Sequence, residues 1–140
     1  MPKVITKNSK QTQDFAEKLS EEFRGGGIIA LSGNLGAGKT TFAQGFAKGL
    51  GIKNKIISPT FLIIRQYPIP NQPNFFYHVD LYRIENIDLK NSGLEEILND
   101  PTNVVLIEWA EKIDKDLPNS IQRINLKKLS EDSREIHLIS

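Results

Sequence analysis

Two periodicities alternate along the chain. Gly27-Ile28-Ile29-Ala30-Leu31 is a continuous apolar run, the pattern of a parallel strand buried on both faces. Val104-Val105-Leu106-Ile107 repeats it and closes on Glu108 and Trp109. Helical spacing follows the first run: from Thr41 to Leu50, the residues Phe42, Phe46 and Leu50 fall on one stripe. Phe15, Ala16, Leu19 and Phe23 form an earlier stripe, with Ser9 or Thr12 as its expected cap and Gly25-Gly26-Gly27 as its end. Gly51 is the expected left-handed residue beyond the Phe42–Leu50 helix. Leu94, Ile97 and Leu98 predict a short helix after Ser92-Gly93.

Strand-like composition fills the rest. Phe61 to Tyr67 and Phe75 to Leu81 are rich in β-branched and aromatic residues. The link between them, Pro68-Ile69-Pro70-Asn71-Gln72-Pro73-Asn74, is too short for a parallel crossover, so an antiparallel hairpin at a sheet edge is expected. Val4-Ile5-Thr6 reads as a short edge strand. Ile121, Ile124 and Leu126, then Ile136, Leu138 and Ile139, suggest two closing strands around Ser130-Glu131-Asp132-Ser133.

At 140 residues the chain is expected to form one domain over 1–140, with room for a full core. The net charge of +1 offers no long-range attraction for nucleic acid. The absence of cysteine excludes a disulfide framework, a thiolate metal site and a cysteine nucleophile. Neither a signal-peptide core nor a membrane-length apolar run is present, so no membrane association and a cytoplasmic location are expected.

The chemistry concentrates at Gly33-Asn34-Leu35-Gly36-Ala37-Gly38-Lys39-Thr40, followed by Thr41. This stretch fits Gly-x-x-x-x-Gly-Lys-[Ser/Thr], the phosphate-binding loop of nucleoside-triphosphate proteins. The glycines let backbone N–H groups approach phosphate oxygens without side chains in the way. Lys39 supplies a positive charge for the β- and γ-phosphates, and is expected to be solvated when the loop is empty. The Thr40 hydroxyl suits Mg²⁺. The guanine signature Asn-Lys-x-Asp is missing, since Asn54-Lys55 continues into Ile56-Ile57, which favours ATP.

Hydrolysis needs further groups to hold the metal ion and orient water. Glu108, at the end of its apolar run, is either an acid beside the loop or a solvated strand end. In His78-Val79-Asp80-Leu81-Tyr82-Arg83, strand alternation places His78, Asp80 and Tyr82 on one face, forming either a catalytic cluster or a surface ladder. The Thr60 hydroxyl of Ser58-Pro59-Thr60 sits where a switch segment or an ordinary turn would lie. Trp109 either stacks in the site or packs in the core. Arg65 and Arg83 are open candidates for stabilising transferred charge.

Taken together, Leu35-Gly36-Ala37-Gly38-Lys39-Thr40-Thr41, Ser58-Pro59-Thr60-Phe61, His78-x-Asp80-Leu81-Tyr82-Arg83, Gly93-Leu94-Glu95-Glu96 and Leu106-Ile107-Glu108-Trp109-x-Glu111-Lys112 resemble the bacterial TsaE (YjeE) family in order and spacing. The resemblance implies an α/β fold, a P-loop NTPase-like three-layer sandwich with a mixed sheet carrying antiparallel additions. It implies a weak ATPase using ATP and Mg²⁺, partnered by TsaD and TsaB. Those subunits transfer a threonylcarbamoyl group to the adenosine beside the anticodon, so tRNA is met indirectly and this chain would reset the transferase between turnovers. By position, Lys39 and Thr40 become phosphate and Mg²⁺ ligands, and Glu108 an acid near the metal. Asp80 becomes a catalytic or metal-binding candidate, Thr60 a switch-like hydroxyl and Trp109 a neighbour of the site. Asn34 departs from the Asp common in the family, at a position that faces away from the phosphates in ordinary P-loops.

Overall fold

The computed structural model describes residues 2–34, 36–54, 56, 64–82, 92–118 and 121–139. Within these, the strand-like stretches form β1 (Lys3–Thr6), β2 (Gly27–Ser32), β3 (Ile64–Pro68), β4 (Phe75–Asp80), β5 (Val104–Glu108), β6 (Gln122–Lys128) and β7 (Arg134–Ile139). They join in one seven-stranded sheet of order β1-β7-β6-β2-β5-β4-β3. The four middle strands, β6, β2, β5 and β4, run parallel. The outer strands β1, β7 and β3 are antiparallel to their neighbours. The antiparallel partner expected before the proline link is therefore β3, although residues 61–63 of that expectation lie outside the described residues.

The two continuous apolar runs are the most central strands because neither face of them meets water. Ile29 and Leu31 of β2 point into one core with Phe42, Phe46, Leu106 and Ile124. Ala30 points into the other, with Val79, Val105, Ile107 and Leu94. The helices α1 (Ser9–Ser20) and α2 (Lys39–Gly49) cover the first face. On the second lie α3 (Leu94–Asn99) and a 3₁₀ segment (Ala110–Asp116), which completes the three layers.

The cap of α1 differs from expectation. Asn8, not Ser9 or Thr12, accepts the Gln11 amide at 2.9 Å, because its short side chain reaches back to the N3 position. Thr12 instead shares a hydrogen bond with Thr6 inside the protein, 2.7 Å between hydroxyls, tying α1 to β1. Gly51 follows α2 at φ +86°, the left-handed end that glycine tolerates.

Candidate functional site

Parallel pairing brings the site together. β2 leads directly into the glycine loop, and β5 and β4 lie beside it in register, so Leu31 pairs with Glu108 and Glu108 with Asp80. Both carboxylates therefore emerge at the carboxyl ends of strands next to the loop, where open α/β sheets bind ligands. α2 starts at Lys39 immediately after Gly38, whose φ of +97° turns the chain into the helix. Its first-turn amides have no partners within the helix and carry the positive end of its dipole. A cleft of about 320 Å³ opens in front of them, lined by Gly36, Gly38, Lys39, Thr40, Thr41, Asp80, Tyr82, Glu108, Trp109 and Arg134.

Lys39 is not solvated. It is only 5% exposed, and its ammonium donates to the carbonyls of Gly33 at 2.6 Å and Asn34 at 3.0 Å. It also lies 4.0 Å from the centre of the Trp109 ring. Burial lowers its pKa below the usual 10.5, opposed by the negative charges of Glu108, Glu111 and Asp80. The expectation of a solvated lysine fails because β5 ends against the loop and swings Trp109 over it. Trp109 achieves this with a left-handed backbone, φ 61° and ψ 37°, rare for a large side chain. It is thus a wall of the cleft and packs against Tyr82 at 5.0 Å between centroids.

Glu108 and His78 are both buried, and the surface-ladder alternative for the His78–Tyr82 strand does not hold. His78 Nε2 is hydrogen-bonded to Glu108 Oε2. The other Glu108 oxygen, Oε1, lies 3.5 Å from the Thr40 hydroxyl, a long contact across the mouth of the loop. Asp80 ends β4, and its Oδ1 accepts the Tyr82 amide at 2.9 Å, turning the chain off the sheet. Tyr82 accordingly leaves the strand face and is exposed. Within the loop, the Asn34 carbonyl accepts the Ala37 amide at 3.0 Å, and the Asn34 side chain is exposed. Leu35, Thr60 and Arg83 lie outside the described residues.

One participant escapes sequence reasoning. Arg134, at the start of β7, donates to the loop carbonyls of Ala37 and Gly36, both at 3.1 Å. It also donates to the Ser130, Glu131 and Ser133 carbonyls in the β6–β7 turn. The arginine in the described cleft lining is therefore Arg134 and not Arg65, which sits on β3 opposite His78. Nothing in the local pattern of Ser133-Arg134-Glu135 marks it, because its partners in the loop lie nearly a hundred residues earlier.

These features define a class: mixed α/β proteins with a phosphate-loop-like strand, glycine turn and helix, flanked by carboxylates on neighbouring parallel strands. Residues 6–136 match the family described as "Threonylcarbamoyl adenosine biosynthesis protein TsaE". The chain belongs to the TsaE family. It is 40% identical over 131 residues to a tRNA threonylcarbamoyladenosine biosynthesis protein TsaE from Bacillus subtilis (strain 168), covering 94% of this chain and 80% of the relative. The TsaE of Treponema pallidum (strain Nichols) is 33% identical over 96% of this chain and 97% of its own length. Among solved structures, Bacillus subtilis YdiB superposes with a TM-score of 0.76 at 35% identity, covering 96% of this chain and 82% of that one.

Proposed function

We propose that this protein binds ATP with Mg²⁺ in the cleft before α2 and hydrolyses it slowly, in support of threonylcarbamoyladenosine formation on tRNA. The observation that carries this reading is the convergence of Lys39, Thr40, Glu108 and Asp80 on the mouth of one glycine loop. The same reading makes Gly33 to Thr41 the phosphate cradle and Trp109 its wall. It takes residues 1–140 as one domain, at work in the cytoplasm.

The donor set suits Mg²⁺. A hydroxyl and two carboxylates are hard oxygen ligands, and Mg²⁺ prefers one or two protein carboxylates completed by phosphates and water. Among the described residues, no group of three or more His, Cys, Asp or Glu could hold a metal ion by itself. Thr40 and Glu108 Oε1, 3.5 Å apart, would hold the ion, and Asp80 lines the same cleft. Bound there, Mg²⁺ would neutralise charge on the β- and γ-phosphate oxygens.

The chain's own groups supply the rest. Loop and first-turn amides of α2 bind the phosphates. The Lys39 ammonium exchanges the Gly33 and Asn34 carbonyls for β- and γ-phosphate oxygens. Asp80 orients the attacking water and accepts its proton as the water oxygen bonds to the γ-phosphorus. The bond from the γ-phosphorus to the bridging oxygen breaks, and ADP leaves with that oxygen. Within the threonylcarbamoyl-transferase system, TsaD and TsaB are the partners that complete the site or trigger it, and tRNA is met only through them.

Glu108→Gln tests the reading. ATP binding is expected within about threefold of wild type while turnover falls by about a hundredfold, the scale of losing one preorganised electrostatic group. Turnover equal to wild type, or no stimulation of wild type by TsaD and TsaB, would overturn it.

A further inference from the structure

We infer that His78 is a positioning residue that fixes the Glu108 carboxylate so that Oε1 faces the Thr40 hydroxyl. The inference rests on the reading of Glu108 as a metal-holding acid and adds a residue behind it. His78 lies on β4 and Glu108 on β5, with both side chains removed from solvent and joined through Nε2 and Oε2. The remaining carboxylate oxygen is thereby aimed at Thr40. A carboxylate held by one oxygen loses the freedom to rotate away, and histidine–carboxylate pairs behind a metal site orient the ligand in this manner.

One face of the ring is also packed. It stacks on Phe76 at 6.5 Å between centroids with an interplanar angle of 10°. Its other nitrogen, Nδ1, is buried without a hydrogen-bond partner among the described residues. A carboxylate oxygen only accepts, so the contact has Nε2 donating its proton to Oε2. A core residue selected only for volume would not be expected to leave one nitrogen unpaired and spend the other on Glu108. Phenylalanine would fill the space.

The test compares Mn²⁺ binding, followed by electron paramagnetic resonance, in the presence of a non-hydrolysable ATP analogue. It uses wild type, Glu108→Gln, His78→Phe, His78→Gln and His78→Asn, with folding checked by melting temperature. His78→Phe is expected to weaken Mn²⁺ binding about tenfold, while metal-free analogue affinity stays within about twofold, because the loop and Lys39 are untouched. His78→Gln, whose amide nitrogen reaches about as far as Nε2, should recover most of the loss. The shorter His78→Asn should not. A folded His78→Phe that binds Mn²⁺ like wild type overturns the inference, as does His78→Gln binding as weakly as His78→Asn. If His78→Phe does not fold, the Gln and Asn comparison decides. Unchanged Mn²⁺ binding by Glu108→Gln marks the other failure, that of the metal-site reading itself, and takes the inference with it.

Discussion

Lys39 is held by the protein that it would release on binding a ligand. Two loop carbonyls and the Trp109 ring occupy its ammonium, yet burial still lowers its pKa. The folded value lies below the unfolded 10.5, so the unfolded chain binds more protons in between. The charged lysine therefore costs stability at neutral pH, and that cost is relieved as pH rises from the folded value towards 10.5. Lys39→Met keeps the stem and removes the charge. It is expected to melt no lower than wild type at pH 7 while binding ATP at least about tenfold more weakly, a loss of about 1.4 kcal/mol or more. Trp109 is the only tryptophan, so its emission reports on the surroundings of the Lys39 ammonium. A large fall in melting temperature, or unchanged ATP affinity, would contradict this account.

At the scale of elements, two contacts hold the loop and its helix in place. α2 meets α1 through Gly45 and Gly49, where an added Cβ would come within 2.3 Å of the Gln13 carbonyl oxygen and 1.9 Å of the Ser20 hydroxyl. Helix propensity alone favours Gly45→Ala by about 1 kcal/mol. The backbone contact opposes it, and overpacking of this kind costs about 1–3 kcal/mol. The substitution should therefore lower the denaturation midpoint; a gain in stability would show that the helices can separate cheaply. The second contact is Arg134, which ties the outer carbonyls of the loop to the β6–β7 turn. Those bonds occupy the Gly36 and Ala37 carbonyls and fix the course of the loop. Arg134→Ala should cost about 1.5–3 kcal/mol of stability, the range for hydrogen bonds made by a charged group. ATP affinity should fall with it, by calorimetry. Wild-type affinity would mean that the loop keeps its shape unaided.

For the whole molecule, the parallel centre of the sheet decides where the candidate site lies. It stacks the ends of β2, β5 and β4 so that loop, Glu108 and Asp80 share one cleft. No helix among the described residues is long and apolar enough to cross a membrane. If the cleft binds Mg-ATP, ligand at a hundred times its Kd should add about 2.7 kcal/mol to folding stability. In a chain of this size that raises the melting temperature by roughly 5–10 °C. No shift at saturating Mg-ATP, with ADP and ATP alike, would argue against nucleotide binding.

Much of this protein was legible from local pattern. The runs at 27–31 and 104–107, the stripe from Phe42 to Leu50 and the turn at Gly51 each follow from period, length and glycine placement, which short-range sterics enforce. The glycine loop and the carboxylate closing β5 were legible for the same reason, as was the hairpin of β3 and β4. Strand order, by contrast, is a choice among long-range pairings, and the fold alone decided that β4 lies parallel to β5 with His78 and Asp80 buried. Folding also decided that Lys39 is sheltered by Trp109, that Asn8 caps α1 and that Arg134 reaches the loop. Those contacts join residues far apart in sequence, where burial, charge and hydrogen-bond geometry arise only once the sheet has closed.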